Sequence, residues 1–315
     1  MKNMVDERFE CISVIFRLAG NWEYNIGYSN LDYIKYPPFS DEDYKLYTVD
    51  WANDYQREVS ETFIKFANHE AVEYAKELAF GFDAVFRFAI HIEKKNSEFM
   101  FIEDIDSMFD NGRWDNERAQ KFLKLFNKFY KDTNYAEFYN SHALYFEEVT
   151  QKFIDEYYQY INFEWFSKYV DTENLKCILS PSNSVGNYAA TVNDKIIYSL
   201  VREKTPGTII HEYCHSFGNP LGEKLYAENA EFREWCDDSV DLEKMPYYSS
   251  GWSMAREYVT NAYDILYRCQ SQGYEIVDDK NYKQNEIAPV LMLKDFKSGF
   301  KYIGEIFKMV LDLEK

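Results

Sequence analysis

The sequence predicts an α+β fold that is predominantly helical, with a small, mostly antiparallel sheet packed on a His-Glu-x-x-His helix. Three observations lead there. Apolar residues recur at helical spacing through most of the chain. Two short runs rich in β-branched and large apolar residues, 174–180 (NLKCILS) and 195–201 (KIIYSLV), stand together past its middle. Directly after them comes 205–220, TPGTIIHEYCHSFGNP, in which His211 and His215 fall one helical turn apart on a single face.

In chain order, residues 7–19 read as a short helix or buried segment that ends at Gly20, followed by a loop rich in Tyr, Pro and Asp to about residue 53. Val59, Phe63, Phe66 and Ala67 keep helical spacing, as do Ala71, Tyr74, Ala75 and Leu78. Residues 82–93 are apolar enough for either a buried helix or a strand. The clearest amphipathic helix covers 115–130, with Ala119, Phe122, Leu123, Phe126, Phe129 and Tyr130 on one stripe, and a second long helical stretch is expected over 134–169. The sheet comes next, with 186–191 between its two strands and a turn at Asn193-Asp194. In the His-Glu-x-x-His helix, Thr205 is a suitable N-cap, Pro206 suits the first helical position, and Gly218-Asn219-Pro220 reads as a stop. Further helices are expected over about 225–235, 250–270 and 300–313. With no repeat, low-complexity tract or flexible linker, the chain reads as a helical lobe (1–170) and a lobe carrying the His-Glu-x-x-His helix (171–315), in one compact unit.

Composition narrows the classes. Aromatic residues make up 19% of the 315, so rings should dominate the core. A net charge of −19 lacks the basic footprint that nucleic acid or an anionic membrane requires. Five scattered cysteines, without CxxC spacing, indicate a reduced chain rather than a disulfide framework. The apolar run 11–16 is too short and too acidic in its flanks for a signal peptide, and no run reaches membrane-spanning length. A soluble, cytoplasmic protein is expected.

The histidine pair carries the chemistry. Two imidazoles one turn apart can reach one metal ion, and Glu212 beside them can hold a water on it. With only five histidines in the chain, residue frequencies give such a run by chance roughly once in a hundred. Cys214 is turned away from the shared face and reads as a packing residue. A catalytic zinc takes three protein ligands. Six residues past His215, where a third histidine would fall, the chain has Leu221, and no histidine follows at all, so the third ligand must be a carboxylate. Glu257 is the best placed. It begins a polar stripe of Glu257, Asn261, Asp264 and Arg268 on a helix whose other face carries Met254, Tyr258, Ala262, Ile265 and Cys269. Asn261, one turn on, could fix the tautomer of a liganding histidine. Glu228, Glu231, Asp237 and Asp238 rank lower. His69, His91 and His142 sit beside apolar stripes or at a helix junction, and packing or capping roles suit them better than catalysis.

HEYCH followed by an REYVTNA helix resembles the gluzincins, zinc metallopeptidases with His-Glu-x-x-His plus a helical glutamate; Glu257-x-x-x-Asn261 fits their Glu-x-x-x-Asp/Asn pattern. The opening IFRLAGNWEYN (15–25) is similar to the start of an uncharacterised bacterial domain family grouped with those peptidases. The resemblance implies a zincin-like fold, a Zn2+ ion on His211, His215 and Glu257, Glu212 as general base, and a peptide or protein substrate extended along an edge segment such as 186–191. Members of the group often use a downstream His or Tyr to stabilise the tetrahedral oxyanion. This chain has no such histidine, so a Tyr or Arg would have to serve, with Tyr247, Tyr248 and Tyr188 as candidates. A zincin-derived module that binds peptides without cleaving them is the alternative.

Overall fold

A computed structural model describes residues 4–21, 53–78, 83–102, 114–182, 187–192, 195–200, 206–245, 248–271, 274–277 and 280–315. Thr205, Tyr247 and the Asn193-Asp194 turn lie outside them. The fold is predominantly helical, with short strands, as an α+β chain should be. It divides into two compact units: residues 1–159, 176–193 and 197–204, and residues 160–175, 194–196 and 205–315.

The first unit is built around α1 (Glu7–Leu18), whose N-cap Asp6 accepts from the Arg8 N–H. From Phe9 to Leu18 every residue of this helix is buried, as expected of a helix apolar on nearly all sides. Three polar residues interrupt it on one stripe, Glu10, Ser13 and Arg17. The Glu10 carboxylate accepts from Ser180 Oγ at 2.5 Å and from the Ser182 N–H at 3.3 Å; Arg17 donates to the Ser182 carbonyl at 2.8 Å. Thus the turn after β3 (Leu175–Leu179) is tied to the buried helix by groups that have no water to bond. Burial pushes the Glu10 carboxyl above its ordinary range, and the bonds from Ser180, Ser182 and Tyr55 only partly offset it. A carboxyl raised in the folded state stabilises fully below its unfolded value of about 4.3, and that stability is lost as pH rises toward the folded value. Glu10→Gln is therefore expected to flatten this loss: in urea titrations from pH 4 to 8, the variant should gain on wild type as pH rises. A constant difference would remove Glu10 as the source.

Around α1 pack α2 (Asn53–Phe63), α3 (Glu70–Leu78) and α4 (Ala84–Ala89), then an antiparallel hairpin of β1 (Ile92–Lys95) and β2 (Glu98–Phe101). The ambiguous apolar run thus splits into helix and then strand. The amphipathic stripe forms α5 (Asn116–Asp132), capped by Asp115, with Ala119, Phe122, Phe126, Phe129 and Tyr130 buried as spaced. Rings make the core: Phe88 lies 4.8 Å from both Trp114 and Phe122, and Phe63 lies 4.8 Å from Phe138. The long helix expected over 134–169 is instead broken into α6 (Tyr135–Ser141), α7 (Ala143–Glu156) and, in the second unit, the short α8 (Phe163–Phe166). At the first break Ser141 Oγ and His142 Nδ1 both bond the Phe138 carbonyl, at 2.7 and 2.9 Å, so side chains take the acceptor that a continuous helix would use. β4 (Tyr188–Val192) and β5 (Lys195–Leu200) complete a three-stranded sheet in the order β3-β5-β4, which leaves β4 at an edge.

The second unit is dominated by α9 (Pro206–Glu228) and α11 (Gly251–Ser271), the most extensively paired helices of the chain. The expected stop at Gly218-Asn219-Pro220 is overturned, since α9 runs through it for two more turns. The physical reason lies across the interface. A Cβ on Gly218 would stand 2.8 Å from Thr260 Oγ1, and one on Gly222 would stand 2.6 Å from the Ala255 carbonyl oxygen. Glycines spaced by four let the two backbones approach, and that packing offsets the hydrogen bond lost at Pro220. Asn229 ends the run and caps α10 (Ala230–Asp238). A β6–β7 hairpin (Tyr274–Val277, Lys280–Lys283), α12 (Gln284–Ser298) and α13 (Ile303–Leu313) follow. The outer side of α9 rests on rings: Phe166 meets Tyr213 at 5.7 Å and Tyr267 at 5.2 Å.

All five cysteines are free thiols; Cys11, Cys177, Cys214 and Cys236 are buried and Cys269 is partly exposed. Among the described residues no helix is long and apolar enough to cross a membrane.

Candidate metal centre

Helical periodicity puts His211 and His215 on one face of α9, with Tyr213 and Cys214 fully buried on the other. Across the tight α9–α11 seam that face meets Glu257. His211 Nε2 is 3.2 Å from Glu257 Oε1, and His215 Nε2 is 3.7 Å from Glu257 Oε2. One ligand atom from each of the three residues lies within 4.8 Å of the others, so the cluster could hold a metal ion. The three side chains keep 22%, 18% and 13% of their surface exposed, so the centre is lined by protein yet open to solvent.

The donor chemistry fits a divalent cation. Burial alone would depress His211, but the hydrogen bond and charge of Glu257 raise it well above the imidazole range. Burial likewise would raise Glu257, and His211 and His215 pull it down. The carboxylate that favours positive charge on His211 would equally favour a divalent cation beside it. Burial holds His215 down at about 4, hence neutral, as a metal-binding imidazole must be. Its far nitrogen, Nδ1, meets Asn219 Oδ1 at 2.9 Å and Thr260 Oγ1 at 3.1 Å.

Other groups act on the same centre through charge or a hydrogen bond. Glu212 is 8% exposed, and its charge raises both His211 and the Tyr248 phenol. Tyr248, partly exposed just before α11, is pushed up by burial and by the Glu257 carboxylate, to which it hydrogen-bonds; its ring is held edge-on by Phe300 at 5.9 Å. Asp264 binds Arg268 Nε at 2.9 Å, and the Arg268 guanidinium lies against Gly207 in the first turn of α9. Asp295 on α12 is raised to about 7 by burial and by the charge of Asp264.

The structure brings His211, His215 and Glu257 together, with Tyr248 hydrogen-bonded to Glu257 and Glu212 next to His211 along the helix. Asn261 is buried one turn after Glu257, but the far nitrogen of His215 is met by Asn219 and Thr260. The reason is reach: Asn219 is one turn on along the same helix, and Thr260 faces Gly218, where no Cβ intervenes. Asn219 was legible as a polar residue four past a histidine, but the Gly-Asn-Pro string read as punctuation. Glu228, Glu231, Asp237 and Asp238 are exposed and outside the cluster; Asp237 accepts from Tyr226 and Asp238 from Tyr302. Tyr188 is buried in the first unit, 6.0 Å from Phe86. His69 accepts from the Ala71 N–H at the start of α3, and His142 packs on Tyr55, both structural placements. Compared with protein-family models, curated proteins and solved structures, the chain matches none.

Proposed function

We propose that this chain is a zinc-dependent peptide-bond hydrolase of the gluzincin type, with a zincin-like fold and a peptide or protein substrate. The observation that carries the reading is the convergence of His211, His215 and Glu257, two imidazoles and a carboxylate within 4.8 Å of one another. That is the donor set of hydrolytic zinc sites, which leave a fourth position open. Zinc held by these residues would supply a Lewis acid that polarises a scissile carbonyl and acidifies water.

The remaining steps belong to the chain. Glu212, adjacent to a ligand histidine and nearly buried, is the general base: it takes the proton of the attacking water and returns it to the leaving amine. The Tyr248 O–H, which donates to Glu257 in this structure, would turn from that carboxylate to the tetrahedral oxyanion once substrate is bound.

The reading is tested by metal content. Protein purified without chelator or metal-affinity resin should carry about one zinc per chain by mass spectrometry, and His211→Ala should carry none. A wild-type chain that takes up no metal even after incubation with zinc would end the peptidase reading.

A further inference from the structure

His215 is held in a way that neither ligation nor the His-Glu-x-x-His pattern requires. Its Nδ1 stands 2.9 Å from Asn219 Oδ1 and 3.1 Å from Thr260 Oγ1, so two side chains converge on one ring nitrogen, one from each helix. An amide oxygen can only accept; the hydrogen in that bond must therefore come from the ring, which places the proton on Nδ1. The other side of the ring agrees. His215 Nε2 lies 3.7 Å from Glu257 Oε2, beyond hydrogen-bond reach, whereas His211 Nε2 lies 3.2 Å from Oε1, within it. Thr260 is fully buried, and its hydroxyl reaches the ring only because residue 218 has no side chain: a Cβ there would stand 2.8 Å from Thr260 Oγ1.

We propose that Asn219 and Thr260 are the positioning residues of the metal centre: together they keep the His215 proton on Nδ1 and aim Nε2, as a lone pair, at the metal position beside Glu257. The proposal rests on the metal-centre reading above. Neither residue touches substrate. Their effect is on the histidine, whose ring would otherwise be free to rotate about χ2 or to present a protonated nitrogen to the ion. Gly218 belongs to the same device as the gap through which Thr260 works.

The test is Zn2+ affinity, measured by competition with a chromophoric chelator, beside the thermal midpoint of the metal-free protein. Asn219→Ala and Thr260→Val should each weaken zinc binding, together by about 10- to 100-fold, with the metal-free midpoints little changed. Asn219→Asp and Thr260→Ser, which keep the acceptor, should restore affinity to near wild type. A long-range 1H–15N spectrum of the metal-free wild type should report His215 as the Nδ1–H tautomer. Wild-type affinity in both Asn219→Ala and Thr260→Val, or an Nε2–H tautomer in that spectrum, would overturn the proposal. Should wild type bind no zinc, the peptidase reading falls, and the tautomer alone then decides whether this pair orients His215.

Discussion

Glu212→Gln is expected to lower peptide hydrolysis by roughly 10²- to 10⁴-fold while zinc content stays at the wild-type level. The substitution keeps the shape of a nearly buried side chain beside His211 and removes only its capacity to hold a proton. Because Glu212 is not among the three clustered residues that could hold a metal ion, bound zinc should remain. The negative charge lost would also lower His211, whose raised state depends partly on Glu212, so zinc should meet less competition from protons there. The assay is turnover of a quenched-fluorescence peptide library with metal content measured on the same sample. Undiminished turnover in the variant would remove Glu212 from the mechanism.

Gly222→Ala is expected to cost about 1–3 kcal/mol of stability and to weaken zinc binding with it. The added methyl would sit 2.6 Å from the Ala255 carbonyl oxygen, 3.0 Å from its carbon and 3.1 Å from Arg256 Cα. These are backbone atoms, which cannot swing aside as a side chain could, and they lie next to Glu257. Relief requires α9 and α11 to separate, which moves the carboxylate away from both histidines. Gly304→Ala is the control: it lies in α13 with nothing within 4 Å of a new Cβ, and should stabilise by about 0.5–1 kcal/mol. Urea unfolding of the two variants and zinc competition on Gly222→Ala check both halves. An unchanged Gly222→Ala midpoint would mean that the seam is looser than its distances require.

How much of this was legible depends on the range of the interaction. The pair His211 and His215 and the stripe of α5 obey a local period, and the two histidines of the cluster followed from spacing alone. Glu257 was reachable by elimination, since no histidine follows His215 and few helices carry a polar stripe on a well-buried body. The course of α9 past Pro220 was not reachable, because what sustains it is the fit of Gly218 and Gly222 against a helix some forty residues away. The same long-range contact put Thr260, rather than Asn261, on His215. The breaks at Ser141 and Asn229 were missed because side chains there capture backbone groups, which apolar periodicity does not register. Both hairpins and α12 also went unread. The β1–β2 hairpin turns at Asn96 with φ 60°, and α12 has no strong apolar stripe, only Ile287 and Leu291 buried.

The buried thiols give each unit its own clock. Cys11 lies in α1 of the first unit and Cys214 in α9 of the second, on the side turned away from the clustered histidines; both are wholly covered, and burial pushes both thiols well up. An alkylating reagent needs thiolate and access, so it can reach either one only when its surroundings open. Mass-resolved labelling of the two cysteines would therefore time the opening of each unit separately within one sample. If zinc binds where the histidines converge, it should slow the clock at Cys214.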